Sequence, residues 1–337
     1  MTLASLLVAV IALGVSSAFL LLVLAAVWFF DRYDREPLAL VAAVFLWGAI
    51  PVPILAVIAE GLTGHVMAAV GRGPWLGFAQ SVMVAPVIEE LLKGLAVLGV
   101  VILSDQFDNP TDGVVYGTAV GLGFAMAENA LYALGALGQG PAHVGLLVLV
   151  RTVTSAGVHA VASAALGGFL GIAYLSRRWS ARIVVAVAGF LVAAGIHTAW
   201  NLAAERWALY GDGHSLATAL LSLPVVYILY LGVLAAFLHW EHRLLVRELS
   251  QEVELGVLPV WVAEVIPRYR LRIRSDWWPS REERTVIARL LTRLAFRKHA
   301  IAHLPEAEAQ LAGLEVVRLR ERVRRVLGED PDGETLS

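Results

Sequence analysis

The 337-residue sequence contains no cysteine. That excludes disulfides, a thiol nucleophile and thiolate metal ligands. Charge is scarce as well: Asp, Glu, Lys and Arg make up 16% of the chain against 58% hydrophobic residues, a balance that belongs to polytopic membrane proteins. Three signatures of hydrolytic chemistry are missing. There is no His-Glu-x-x-His, no Gly-x-Ser-Gly with a matching His, and no intramembrane Gly-x-Gly-Asp with a Tyr-Asp partner; Gly211-Asp212-Gly213 falls in an expected loop. The first apolar run, Leu3 to Phe30, lacks a basic leader and is long, so it reads as a retained anchor and not a cleaved signal peptide.

The few charges are unevenly spread. Of the 26 Lys and Arg, 9 precede residue 241 and 17 follow it; of the 28 Asp and Glu, 12 precede and 16 follow. Two regions are therefore expected, a membrane bundle over 1–240 and a helical tail over 241–337. The tail's charges nearly cancel, which gives no footprint for nucleic acid. Seven spans can be drawn, at about 3–30, 38–60, 75–103, 113–136, 150–175, 181–203 and 215–238. The expected fold class is an all-α polytopic membrane bundle of about seven or eight spans. Arg32, Arg35, Arg177, Arg178, Arg182, Arg243 and Arg247 flank alternate loops, with only Arg72 and Arg206 opposite. The positive-inside rule then puts the N-terminus outside and the tail in the cytoplasm.

Several local signals accompany these spans. The loop 104–112 carries Asp105, Asp108 and Asp112, and its Asn109-Pro110 breaks a helix. Gly117-xxx-Gly121 and Gly167-xxx-Gly171 have the spacing of close helix packing. In the tail, Ser280 to Glu283 has the form of a capping box before a helix to about His299, and a second helix runs from about Pro305 to Gly328. Between membrane and tail lies Arg268-Tyr269-Arg270-Leu271-Arg272-Ile273-Arg274, which either rests on anionic headgroups or is a solvated face.

The informative residues are polar groups inside apolar runs. Glu89, Glu90 and Lys93 interrupt the third span, and each ionisable group at that depth costs about 2.5–3.5 kcal/mol on insertion scales. Glu128 and Asn129 lie in the fourth, Arg151 and His159 in the fifth, His197 and Asn201 in the sixth. Counted from the cytoplasmic span ends at 1.5 Å per residue, Glu89, Glu128, His159 and His197 all fall about 22–25 Å from that surface. A shared depth is what a single site requires. Carboxylates, two His and an Asn around a buried cavity suit water activation for attack on a peptide carbonyl, with His and Asn donors on the oxyanion. Lys93 is i+4 from Glu89 and i+3 from Glu90, and both spacings permit a pair. Helix geometry slightly favours Lys93 on Glu89, which would leave Glu90 as the base.

Taken in order, Glu89-Glu90-x-x-Lys93, Phe124-x-x-x-Glu128-Asn129, Arg151 with His159, and His197-x-x-x-Asn201 resemble the PrsW family of bacterial intramembrane proteases, in the wider clan of CAAX prenyl endopeptidases. Asp34-Arg35-Glu36-Pro37 resembles the family's N-terminal signature. The resemblance covers about residues 30–205. It implies a glutamic-type endopeptidase in the bacterial cell membrane, with Glu89 activating water, Glu90 ordering the site with Lys93, and His197 and Asn201 on the oxyanion. The CAAX endopeptidases carry His where this chain has Glu128, and His159 is the expected substitute; Asn129, Arg151 and Lys93 support. The implied partner is a membrane-anchored protein substrate, anti-sigma factors among them. No metal is expected, although the donors are of a kind zinc accepts. A proton- or cation-coupled transporter and an inert binder of transmembrane segments are the alternatives, the first disfavoured by the lack of an internal repeat. Oligomeric state has no signature here.

Overall fold

The computed structural model describes residues 2–327 apart from Arg72, Ser275, Asp276 and Pro279. Arg72 and Gly328, which carry two of the expectations above, lie outside the described residues. The elements are α1 (Leu3–Phe30), α2 (Leu38–Ala49), α3 (Pro51–Val70), α4 (Pro74–Ala79), α5 (Ala85–Leu103), α6 (Pro110–Ala136), α7 (Pro141–Val153), α8 (Ser155–Tyr174), α9 (Trp179–Tyr210), α10 (Gly213–Glu254), α11 (Val260–Val265), α12 (Tyr269–Arg272), α13 (Arg281–Ile301) and α14 (Glu306–Leu327). No strand occurs among the described residues. Six helical segments are long and apolar enough to cross a membrane: Leu3–Phe30, Leu38–Ala69, Pro110–Gln139, Pro141–Tyr174, Trp179–Tyr210 and Gly213–Glu254. The expected third span is helical from Pro74 to Leu103 but carries Glu89, Glu90 and Lys93, so it is not one of the six.

Helix breaks shift several expected boundaries. The second span is two helices meeting at Ile50, where Pro51 starts a new first turn without needing an N–H. Its second half continues to Val70. Residues 150–153 belong to α7, so Arg151 sits in the last turn of one helix and His159 in the first turns of the next. Thr154 separates them. The seventh span does not stop near 238: α10 runs unbroken to Glu254, through the 240/241 boundary. Asp108 and Asp112 are buried. Asn109 caps α6 in a full capping box with Asp112, which accepts from the backbone N–H groups of Asp108 and Asn109.

α6 is the centre of the bundle. A Cβ on Gly113 would lie 2.0 Å from the Gly167 carbonyl oxygen, one on Gly117 2.2 Å from that of Ser163, and one on Gly121 2.5 Å from that of His159. The glycine spacings thus do what they suggested: α6 and α8 touch backbone to backbone. On the other side Gly48 and Gly123 let α2 approach α6 in the same way. This close layer fixes Glu128 of α6 relative to His159 and Ser163 of α8.

The tail folds against one end of the bundle. Leu245, Leu249, Val262, Ile266, Leu291, Leu294 and Val316 form a second core that also buries Tyr33. Ser280 caps α13 by accepting from the Glu283 N–H at 3.4 Å. The Glu283 carboxylate accepts from Trp278 Nε1 instead of closing the box. Arg272 donates to the Tyr33 carbonyl at 2.9 Å, Arg293 pairs with Asp105 at 2.8 Å, and Arg182 pairs with Glu308 at 2.9 Å. Two loops of the bundle and the first turn of α9 are held this way.

Candidate active site

The helix that carries the carboxylates begins irregularly, and Pro86 explains why. Residues Gln80–Val84 form a π-helical turn, in which the Ala85 N–H reaches back to the Gln80 carbonyl. In that register the Ser81 carbonyl would accept from residue 86, which is proline and has no N–H. The orphaned carbonyl accepts from Asn201 Nδ2 at 3.0 Å. Asn201 therefore fastens α9 to the start of the helix bearing Glu89 and keeps a second amide N–H free for other use.

Beyond this turn, Glu90 and Lys93 are fully buried. Glu90 accepts from Lys93 Nζ at 2.8 Å, lies 3.1 Å from His197 Nδ1, and accepts from Ser163 Oγ at 3.0 Å. All its acceptor capacity is turned inward. Glu89 is held less tightly, with Lys93 Nζ at 3.4 Å and His197 Nε2 at 3.8 Å. Lys93 also lies 3.8 Å over the Phe124 ring, a cation–π contact in a dry setting. The nearer partner of Lys93 is Glu90, opposite to the slight preference that helix geometry alone gave.

Glu128 has its own partners. Arg151 Nη2 lies 2.6 Å and His159 Nε2 2.8 Å from its Oε2. The other nitrogen of His159, Nδ1, is 3.2 Å from Lys93 Nζ, so one histidine joins the two charged pairs. Asn129 turns away from the carboxylates. It accepts from Arg151 Nε at 3.1 Å and donates toward Ser16 and Thr152, tying α6 to α1 and α7. The His159 and His197 rings meet edge to face at 4.5 Å. Glu89, Glu90, Lys93, Glu128, Arg151, His159 and His197 thus form one connected cluster.

A cavity of about 420 Å³ opens onto this cluster. Glu89, Glu128, Arg151 and Asn201 line it, while His159 and His197 lie behind the carboxylates and do not. Its wall also includes Glu60, Gln80, Trp200 and Glu205. The sequence reading missed Ser163, which stands one helical turn after His159, and Glu60, a carboxylate at the end of a drawn span. Both signals were present, an i+4 spacing and an intramembrane acid, but only the α3–α5–α9 packing brings Glu60 to the cavity.

Metal binding can be tested against the same geometry. Glu89, His159 and His197 offer ligand atoms within 4.8 Å of one another, and each His holds a carboxylate on its other side, as ligating His residues do. The ammonium of Lys93 lies against two of those three donors, at 3.4 Å from Glu89 and 3.2 Å from His159 Nδ1. At 4 Å a dication and an ammonium repel by about 8 kcal/mol even at an effective dielectric of 20. The donor set suits zinc in type and number; with Lys93 in this place the arrangement does not fit it.

Comparison with known proteins agrees with the motif reading. A family profile described as "PrsW family intramembrane metalloprotease" matches residues 36–237. The chain is 33% identical over 186 residues to the Protease PrsW of Geobacillus kaustophilus, covering 53% of this chain and 75% of that one. It is 30% identical over 186 residues to the Protease PrsW of Bacillus subtilis, covering 53% and 78%. No solved structure matches it.

Proposed function

The chain belongs to the PrsW family and is a multi-pass bacterial membrane protease, and on that premise we propose that it hydrolyses membrane-anchored proteins with a water activated by Glu89, without a metal. The observation that carries this reading is the asymmetry of the adjacent carboxylates. Glu90 is sealed by three hydrogen-bonding partners, whereas Glu89 faces the cavity with a 3.8 Å gap to His197 Nε2. With the His197 Nδ1–H donating to Glu90, Nε2 presents a lone pair. A water bridging the two from the cavity side donates one hydrogen to Glu89 and the other to Nε2, and its oxygen lone pair is left for the substrate.

In the reaction the water oxygen bonds to the scissile carbonyl carbon as Glu89 takes a proton, and the carbonyl electron pair moves to oxygen. The free amide N–H of Asn201 and the Arg151 guanidinium, both on the cavity wall, stabilise that oxyanion. The C–N bond then breaks and Glu89 returns the proton to the leaving amine. His159 and His197 act from behind, His159 by orienting Glu128 and His197 by orienting the water. Trp200 is shared by this cavity and a mostly apolar groove of about 680 Å³ between α9 and α10. An apolar segment lying there would present a bond to Glu89. With the tail in the cytoplasm, as the arginine distribution favours, the cavity mouth lies toward the opposite face, because Glu205 is near the end of α9 away from the tail.

The test is to incubate the purified protein in lipid with a library of single-span substrates and to search for new termini by mass spectrometry. Cleavage by the native protein and retained capture without cleavage by Glu89→Gln is the expected result. An active Glu89→Gln enzyme beside a dead Glu90→Gln enzyme reverses the assignment. Activity lost on chelation and restored by stoichiometric zinc overturns the metal-free mechanism.

A further inference from the structure

The tail offers no catalytic group, yet its junction with the bundle forms a second, open cavity of about 330 Å³. Six arginines line it: Arg32 and Arg35 from the α1–α2 loop, Arg272 from α12, and Arg281, Arg284 and Arg289 from α13. The one acid in the lining is Asp34. Among the described residues, Arg32, Arg35, Arg281, Arg284 and Arg289 make no ion pair. Two are held by neutral groups. Arg35 donates to the Tyr269 hydroxyl at 3.1 Å and lies over the Trp28 and Phe29 rings, and Arg32 lies over Phe30 and Tyr269. Arg272 is fixed by the Tyr33 carbonyl and the Thr292 hydroxyl.

This arrangement runs against local preference. Arg281 and Arg284 stand in the first turns of α13, where the helix dipole disfavours cations, while the Glu282 and Glu283 of the same turn lie outside the cavity lining. Six guanidiniums around one small cavity also repel each other. An anion with several oxygens would reverse both terms, because guanidinium forks match phosphate geometry and the helix N-terminus adds to the attraction. Location narrows the source. The floor is the short loop 31–37 between two membrane-crossing helices, beside Trp28, Phe29 and Phe30, so the cavity sits at headgroup level.

We propose that this arginine-lined cavity between the α1–α2 loop and the first turns of α13 is a binding site for a phosphate-bearing anion, the headgroup of an anionic phospholipid or a free phosphate compound. Binding there joins the tail to the bundle through Arg281, Arg284 and Arg289 on one side and Arg32 and Arg35 on the other, and makes docking of the tail sensitive to what the membrane or the solution supplies.

The experiment uses the full chain purified in detergent and reads the thermal unfolding midpoint of the tail-docked protein. Dioctanoyl phosphatidylglycerol, dioctanoyl phosphatidylcholine and inorganic pyrophosphate are titrated separately. The variants are the double substitution Arg284→Gln/Arg289→Gln and, as a charge-matched control, Arg318→Gln/Arg322→Gln on the exposed face of α14. A saturable upward shift with phosphatidylglycerol, absent with phosphatidylcholine and weakened at least tenfold in apparent affinity by the first double variant alone, is the expected result and assigns a lipid headgroup. A saturable shift with pyrophosphate alone, lost in the same variant, assigns a free phosphate compound. No saturable shift with either anion, or an equal loss in the control variant, overturns the site.

Discussion

α6 carries two acids, buried Asp112 in its first turn and half-buried Glu128 sixteen residues on, about 24 Å apart along the axis, and the surroundings of the two could hardly differ more. Around Glu128 three carboxylates have a cation within reach: Lys93 serves Glu89 and Glu90, and Arg151 serves Glu128. Around Asp112 lie Asp31, Glu36, Asp108 and Glu241, all buried. Among the described residues none of these five is in an ion pair. Tyr116 donates to Glu36 and Thr111 to Glu241, while one oxygen each of Asp31, Asp108 and Glu241 has no hydrogen-bond partner. Burial holds Asp31 well above the usual carboxylate range, pushes Glu36 from 4.5 to about 8 and Asp108 from 3.8 to about 7. A cell membrane protein can thus keep acids inside in two ways. Glu89, Glu90 and Glu128 are matched by fixed cations; the acids around Asp112 have none, and burial there favours the protonated form.

The sharpest way to break that comparison is to remove the cation from the matched site. Lys93→Met leaves two buried carboxylates uncompensated and should cost about 3–5 kcal/mol, read as a large drop in the thermal unfolding midpoint together with loss of turnover. An unchanged midpoint would show that Glu89 and Glu90 are neutral too, and the contrast would disappear. Glu89→Gln should instead keep its midpoint and lose about a thousandfold or more in turnover, the range of a positioned general base.

The acid cluster should respond to pH in the opposite sense from a set of salt bridges. A carboxyl whose folded pKa is raised contributes stability that is complete below its unfolded pKa, near 4, and is lost as pH rises through its folded value. For Asp108 and Glu36 those folded values are about 7 and about 8. The unfolding midpoint should therefore fall steadily between pH 5 and pH 8.5. Glu36→Gln, an amide in place of an already neutral acid, should cost less than about 1 kcal/mol at pH 6 and flatten the upper part of that fall. A midpoint that rises with pH over this window would mean the cluster is ionised.

The smallest effect should come from Asn201→Ala, which leaves the Ser81 carbonyl without its donor and removes about 1 kcal/mol of stability. Its turnover should fall further than the midpoint implies, because the same amide faces the cavity. Equal, small losses in both would reduce Asn201 to an anchor of the π-helical turn.

Much of this was legible in the chain itself. Apolar runs interrupted by Glu89, Lys93, Glu128 and His197 mark both a membrane bundle and a site, since few forces other than function keep charge at that depth. Glycine spacings marked faces where helices can approach closely, because a missing side chain has one steric consequence wherever it is read, but not that α6 and α8 would be partners. Sequence spacing, however, is blind to choices made between helices. It allowed Lys93 to hold either carboxylate, and the choice fell to Glu90 because Ser163 of α8 and His197 of α9 converge on the same side of α5. It put His159 and His197 at the right depth but could not say that they stand behind Glu89 and Glu128, a matter of which face each helix turns to its neighbours. It read 104–112 as a loop but could not say that Asp108 and Asp112 are buried. Depth and helix content follow from the run of residues along one helix. Pairing, facing and protonation belong to the packing of several, and only the tertiary structure decides them.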